Sequence, residues 1–270
     1  FIKILSLEEN MTWDMKKVAN AKFKNPILIE GLPGVGNVGK IAVDFLIEKF
    51  NAEKILECSS YDLPHCVFVN EENMIELPMI DVYHAKISGR SVLFLAGDIE
   101  PTSEKSCYEF CHTLLDKFHN VKNMEIVTLG GIALPAVPEN PKVYCTGNSK
   151  KIMQKYAATT DTQIHGVVGP IIGVSGVLPA LAGKRKIPSV ALLAETFGHP
   201  QYMGIKGAKE ILKVLQKELK TKIDIAELQE DGSIGIPRRK SAIKIEKLKK
   251  AVTLKETKEK NNGKETTYIG

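Results

Sequence analysis

The stretch Ile27-Leu-Ile-Glu-Gly-Leu-Pro-Gly-Val-Gly-Asn-Val-Gly-Lys-Ile-Ala-Val-Asp-Phe-Leu-Ile47 runs from an apolar segment through a glycine-rich turn into an amphipathic helix. Ile27 to Ile29 are bulky and uninterrupted, the pattern of a strand buried on both faces of a parallel sheet. Val38, Ile41, Ala42, Phe45 and Leu46 recur at i, i+3, i+4, i+7 and i+8, which lays one apolar stripe against that sheet. Strand, turn and helix form a βα unit, and the fold class it predicts is α/β.

The turn meets two phosphate-binding templates in part. Gly34-Val-Gly36-Asn37-Val-Gly39 is a GxGxxG, and Glu57 follows about twenty residues later at the end of a second apolar run, as a dinucleotide site requires. Three glycines serve equally in a tight crossover where backbones approach closely. As a P-loop, Gly34 to Lys40 gives GxxxxGK but places Ile41 where Ser or Thr must ligate magnesium. Ile41 belongs to the apolar stripe, so packing accounts for it.

Outward from this unit, Phe1 to Leu7 reads as a strand and Glu8 to Asn25 as an irregular lead-in. Glu53–Ser59 and Leu63–Val69 read as further strands. Ile80–Ile87 and Ser91–Ala96 flank Ser88-Gly-Arg as a hairpin, which makes the sheet mixed. Asp98 and Glu100 fall at a strand's C-terminal edge, and Ser103 or Ser106 can cap the helix that runs to Phe118. Met124–Leu129 is a strand with a glycine exit at Gly130 and Gly131. Lys142–Gly147 and Ile164–Val168 are strands, and Ser149 caps a helix to Tyr156. Gly173, Ser175 and Gly176 open the helix Val177–Ala182. Ser175 sits in an incomplete nucleophile elbow, because Val177 holds the place of the final glycine in G-x-S-x-G. Pro188–Leu193 leads to Glu195 and Thr196, where Glu195 could pair with His199 as acid and base. Gly207–Leu219 is an amphipathic helix that ends the compact domain near residue 222.

Composition narrows the function classes. The chain has 270 residues, 43% hydrophobic and 26% charged, enough for a sizeable core. Five cysteines form no CxxC and lie in apolar runs, so buried reduced thiols, no metal site and a cytoplasmic location are expected. No signal-peptide pattern is present. Residues 162–183 are free of formal charge, yet five glycines and two prolines interrupt them, which reads as soluble structure and no membrane partner. The net charge of +5 is concentrated: eleven Lys or Arg against four Glu after Ile236-Pro237 give +7 there and −2 before it. A lysine-rich, aromatic-poor tail reads as a solvated extension rather than a nucleic-acid surface. Residues 223–270 form this basic extension, with a short helix over Ala242–Leu254.

Four motifs in order, Gly31-Leu-Pro-Gly-Val-Gly-Asn-Val-Gly39, Leu129-Gly-Gly-Ile-Ala-Leu-Pro135, Gly169-Pro-Ile-Ile-Gly-Val-Ser-Gly-Val-Leu178 and Leu192-Leu-Ala-Glu-Thr196, resemble the archaeal branch of the proteasome assembly chaperone family. The resemblance covers about residues 25–220. It implies a three-layer α/β sandwich with a mixed, mostly parallel sheet similar to purine nucleoside phosphorylases. It also implies a homo-oligomer that binds 20S proteasome α-subunits, without enzyme activity or cofactor. The family's motif residues map to Gly34, Gly36, Asn37, Gly39, Gly130, Gly131, Gly173, Ser175, Gly176, Glu195 and Thr196. Members that dock on the proteasome end in hydrophobic-Tyr-X with tyrosine penultimate, whereas this chain ends Tyr268-Ile269-Gly270, with tyrosine one place earlier. The alternative is a nucleotide- or nucleoside-handling enzyme that uses the Gly34 to Lys40 turn, with Glu195 as base.

Overall fold

The computed structural model describes residues 12–69, 73–160, 162–163 and 169–228. The expected strands Phe1–Leu7 and Ile164–Val168, the helix Ala242–Leu254 and the C-terminal Tyr268-Ile269-Gly270 lie outside these residues. The described residues fall into two compact units, one spanning residues 12–65 and the described part of 78–228, the other Cys66–Leu77.

In chain order the elements are β1 (Trp13–Lys17), β2 (Ile27–Gly31), α1 (Val38–Lys49), β3 (Glu53–Ser60), β4 (Phe68–Val69), β5 (Ile75–Glu76), β6 (Ile80–Ile87), β7 (Arg90–Gly97), α2 (Glu104–Lys117), β8 (Glu125–Leu134), β9 (Val143–Gly147), α3 (Lys150–Ala157), β10 (Thr162–Gln163), α4 (Val174–Lys184), β11 (Ser189–Phe197) and α5 (Ile205–Glu218). Among the described residues one sheet runs in the order β1-β3-β6-β7-β2-β8-β11-β9-β10. Its centre, β7-β2-β8-β11, is parallel, while β1, β3 and β6 add antiparallel strands on one flank and β9 pairs antiparallel with β11 on the other. The sheet is mixed, as expected, with its parallel part at the centre.

Alternation along the central strands builds two cores. Ile27, Ile29, Val92, Phe94, Val127 and Leu129 point to one face, where α1, α3 and α5 pack. Leu28, Leu93, Leu95 and Ile126 point to the other, against α2 and α4. The result is a three-layer α/β/α sandwich. Packing on the first face extends past residue 222, since Ile223 and Leu228 are buried in that core.

Several local expectations hold. Ser88 and Gly89 both have positive φ, as a two-residue hairpin turn favours. Ser103 caps α2 by accepting from Ser106 N, and Ser149 caps α3 by accepting from Ile152 N.

Others are corrected. The lead-in contains β1, whose Trp13 and Met15 alternate inward against α2; five residues with only two apolar positions carry little periodic signal. The strand expected over Leu63–Val69 shrinks to Phe68–Val69. Gly130 and Gly131 form no exit but stay extended inside β8, because β11 continues the ladder beside them as far as Leu134. α4 starts at Val174, so Ser175 and Gly176 lie in its first turn. Cys66 is exposed, whereas the other four cysteines are buried and free. Ile80 is fully buried on β6.

Pro179 lies inside α4 and has no N–H to offer the Ser175 carbonyl four residues back. Thr128 of β8 fills that place: its hydroxyl donates to Ser175 O at 2.7 Å. The part-buried carbonyl is thereby satisfied from the sheet, and α4 is keyed to β8.

The smaller unit's described part is a hairpin, β4 against β5 with Val69 opposite Ile75. Val67, Val69, Met74, Ile75 and Leu77 are exposed, the last two above 70%.

Candidate functional site

The helices after the adjacent strands β2 and β7 lie on opposite faces of the sheet, α1 on one and α2 on the other. Such a reversal opens a crevice beyond the carboxyl ends of the two strands. Two carboxylates stand there, Glu30 near the end of β2 and Glu100 just past β7.

Glu30 is fully buried. Its Oε1 accepts from Leu32 N at 2.9 Å, and Oε2 lies 3.0 Å from Ser175 Oγ. Burial, with the nearby Glu100 charge adding to it, pushes the Glu30 carboxyl up to about 8. At neutral pH it therefore carries a proton. The acid O–H can donate to Ser175 Oγ, leaving the Ser175 hydroxyl to donate to Leu129 O at 3.3 Å.

Glu100 reaches across to a different helix. It accepts a hydrogen bond from Val174 N at the start of α4, while burial lifts its carboxyl to about 7. Gly173 permits this approach: its φ is +81°, and a Cβ there would stand 2.7 Å from a Glu100 carboxylate oxygen.

Beside these groups lies a cavity of about 550 Å³, lined by Glu100, Ser175, Tyr144 and Thr146 together with apolar residues such as Val35 and Ile172. Among the described residues no Lys, Arg or His lines it. Glu100 and Ser175 are brought together here from segments 75 residues apart in sequence.

The glycine-rich turn is a packing device in most of its positions. Gly36 has φ +61° and sits against Thr196, whose Oγ1 would be 2.6 Å from an added Cβ. Gly39 meets the Leu129 carbonyl and Gly131 meets the Val35 carbonyl at distances that leave no room for a side chain; Gly176 does the same against Ile171, and Gly130 faces Leu193. Asn37 adopts left-handed backbone as the N-cap of α1, and its amide donates to Met203 Sδ at 3.8 Å. Thr196 is buried with its hydroxyl unpaired.

Two elements of the phosphate-binding reading come apart. Lys40 points away from the turn: its ammonium donates to Gly97 O at 2.9 Å and pairs with Asp44 at 2.9 Å, both side chains being buried on α1. Glu57 lies on β3, separated from β2 by β6 and β7, and is tied to Lys54 at 2.8 Å. The reason is topological: α1 delivers the chain beyond β6 and β7 instead of to the strand beside β2.

Glu195 and His199 do not meet. Glu195 accepts from Lys142 N and Tyr144 O–H, each at 2.9 Å, whereas His199 stacks on Phe197 and accepts from Gln201 N. Ser175 has a carboxyl and a carbonyl as partners in place of a histidine base. Among the described residues no group of His, Cys, Asp and Glu could hold a metal, and no helix is long and apolar enough to cross a membrane.

The PAC2 family profile matches residues 28–233, from β2 beyond the last described residue. The chain belongs to the PAC2 family. An uncharacterised protein of Methanocaldococcus jannaschii is 29% identical over 221 residues, spanning 80% of this chain and 84% of the relative. Among solved structures, Pyrococcus furiosus PbaB, described as an archaeal proteasome activator, superposes with a TM-score of 0.75 at 25% identity over 90% of this chain and 99% of that one. Pyrococcus furiosus PbaA, described as an archaeal homolog of proteasome-assembly chaperone, gives a TM-score of 0.69 at 22% identity, covering 92% and 96%. The four motifs of this PAC2 chain, three of them glycine-bearing, gather toward the carboxyl edge of one sheet. Glu30 had no motif to mark it; its one signal in sequence is a carboxyl that ends an otherwise apolar central strand.

Proposed function

We propose that this chain is a non-enzymatic, chaperone-like protein that engages the α-subunits of the 20S proteasome as a homo-oligomer in the cytoplasm. The observation that carries this reading is PAC2 membership joined to a near full-length likeness to an archaeal proteasome activator. The exposed apolar hairpin Cys66–Leu77 suits a contact between copies, since contiguous apolar surface of that kind favours association. The basic extension, with Tyr268, Ile269 and Gly270 at its end, suits contact with an acidic protein surface. In this reading the folded body, which includes the buried Ile223 and Leu228, acts as the scaffold, and the basic segment after Ile236-Pro237 as the reaching part.

Pull-down of untagged full-length chain with archaeal 20S particles, and separately with free α-subunits, tests the reading. Retention of the chain on both is the expected result. Failure to associate with either at low salt overturns it. The nucleotide-handling alternative finds no support in the site, because Lys40 is committed to Asp44 and none of the described residues of the cavity offers a cation to a phosphate.

A further inference from the structure

Two glycines of the cavity wall have no structural reason to be glycine. Gly34 and Gly169 both line the cavity, neither has positive φ, and a Cβ at either would meet nothing within 4 Å. Gly36, Gly39, Gly131 and Gly176 are explained by backbone conformation or close packing, but these two keep space open. The rim is apolar and wet: Ile172 is 84% exposed and Val35 41% exposed, both beside the opening. The polar lining groups, Glu100, Ser175, Thr146 and Tyr144, are a carboxyl and hydroxyls, all half-buried.

We propose that this cavity is a binding site for a small amphiphilic amine, its ammonium group held by Glu100 and its hydrocarbon body against Val35, Ile171 and Ile172. Four features select this class. An open pocket with apolar walls and a few convergent polar groups is the usual form of a small-molecule site. Among the described lining residues Glu100 is the one carboxylate and none is basic, which favours a cation over an anion. The α4 N-terminus, which would otherwise attract an anion, already donates to Glu100. Burial disfavours the charge on Glu100, and an ammonium beside it restores that charge by pairing, so ligand and carboxylate stabilise one another. The site is independent of proteasome association and is tested without it.

The test is calorimetric titration of the full chain with n-hexylamine and phenethylamine, and in parallel with hexanoate and hexan-1-ol. The amines are expected to bind saturably with Kd below about 1 mM, and the acid and the alcohol at least about tenfold more weakly. Glu100→Gln keeps an acceptor for Val174 N but loses the charge, and should weaken amine binding by about tenfold or more. Gly34→Val puts a branched side chain into the space where a Cβ meets no heavy atom within 4 Å, and should abolish binding while the melting temperature holds. Absence of amine binding, equal binding of hexanoate, or amine binding that survives Gly34→Val would each overturn the proposal.

Discussion

At the scale of single residues, Glu30 and Glu100 give the fold an unusual pH dependence. Glu30 titrates at about 8 and Glu100 at about 7 in the folded chain, against 4.5 for an ordinary glutamate. The native state thus holds protons that the unfolded chain has released. Their stabilisation is complete below the unfolded value and is lost as pH rises through the folded ones. Between roughly pH 5 and 7 each carboxyl should lower stability by up to about 1.4 kcal/mol per pH unit. Urea denaturation at pH 5.5, 6.5, 7.5 and 8.5 measures this, and Glu30→Gln should flatten the profile by removing its share. A profile that rises over this window would contradict the assignment. The turn glycines divide in the same physical terms. Gly36→Ala forces a side chain into positive φ against Thr196 and should cost about 1–2 kcal/mol, whereas Gly34→Ala should cost little. The sequence shows a GxGxxG in which all three glycines look alike; only their surroundings separate the two that packing requires from the one it does not.

At the scale of elements, α4 and β1 show how tertiary contacts complete a local pattern. Thr128→Val removes the hydroxyl that satisfies Ser175 O opposite Pro179, and an unpaired part-buried carbonyl should cost about 1–3 kcal/mol with little change in volume. Thermal denaturation of that variant is the check, and Thr128→Ser should restore most of the loss. Trp13 of β1 is 2% exposed, packs edge-on against Phe110 at 4.7 Å between ring centroids, and donates to Ser106 O at 3.0 Å. Trp13→Ala should therefore cost about 3–5 kcal/mol by chemical denaturation, a large penalty for one residue of a five-residue flanking strand. α1, by contrast, was legible from its periodicity alone, because ten of its twelve residues are buried and its apolar positions repeat at the helical period.

At the scale of the whole molecule, the composition break near residue 238 predicts that the tail is separable from the fold. Deleting residues 255–270 removes none of the buried positions of the described core, so the melting temperature should barely move. Association with 20S particles should weaken, because a basic segment of this kind supplies electrostatic steering, and added salt should slow the association of the full chain by screening its lysines. Surface plasmon resonance on immobilised 20S particles reads both effects. Light scattering after gel filtration reads the second expectation, a mass above one chain, with Ile75→Asp and Leu77→Asp together shifting it toward the monomer.

By itself the sequence determined the fold class, the hairpin that mixes the sheet, the caps of α2 and α3, the family motifs and the charge break, because each is written in residues adjacent in the chain or repeating at a fixed period. It did not determine where Lys40 and Glu57 point, that Glu195 and His199 stay apart, that Gly130 and Gly131 remain in a strand, or that Glu30, Glu100 and Ser175 converge. Those outcomes depend on strand order. Placing β6 and β7 between β3 and β2 takes Glu57 away from the glycine turn, while the opposite placement of α1 and α2 opens the crevice at the switch between β2 and β7. Strand order arises from how whole faces bury against one another, and a side chain's chemistry is decided by neighbours that only this burial brings into contact.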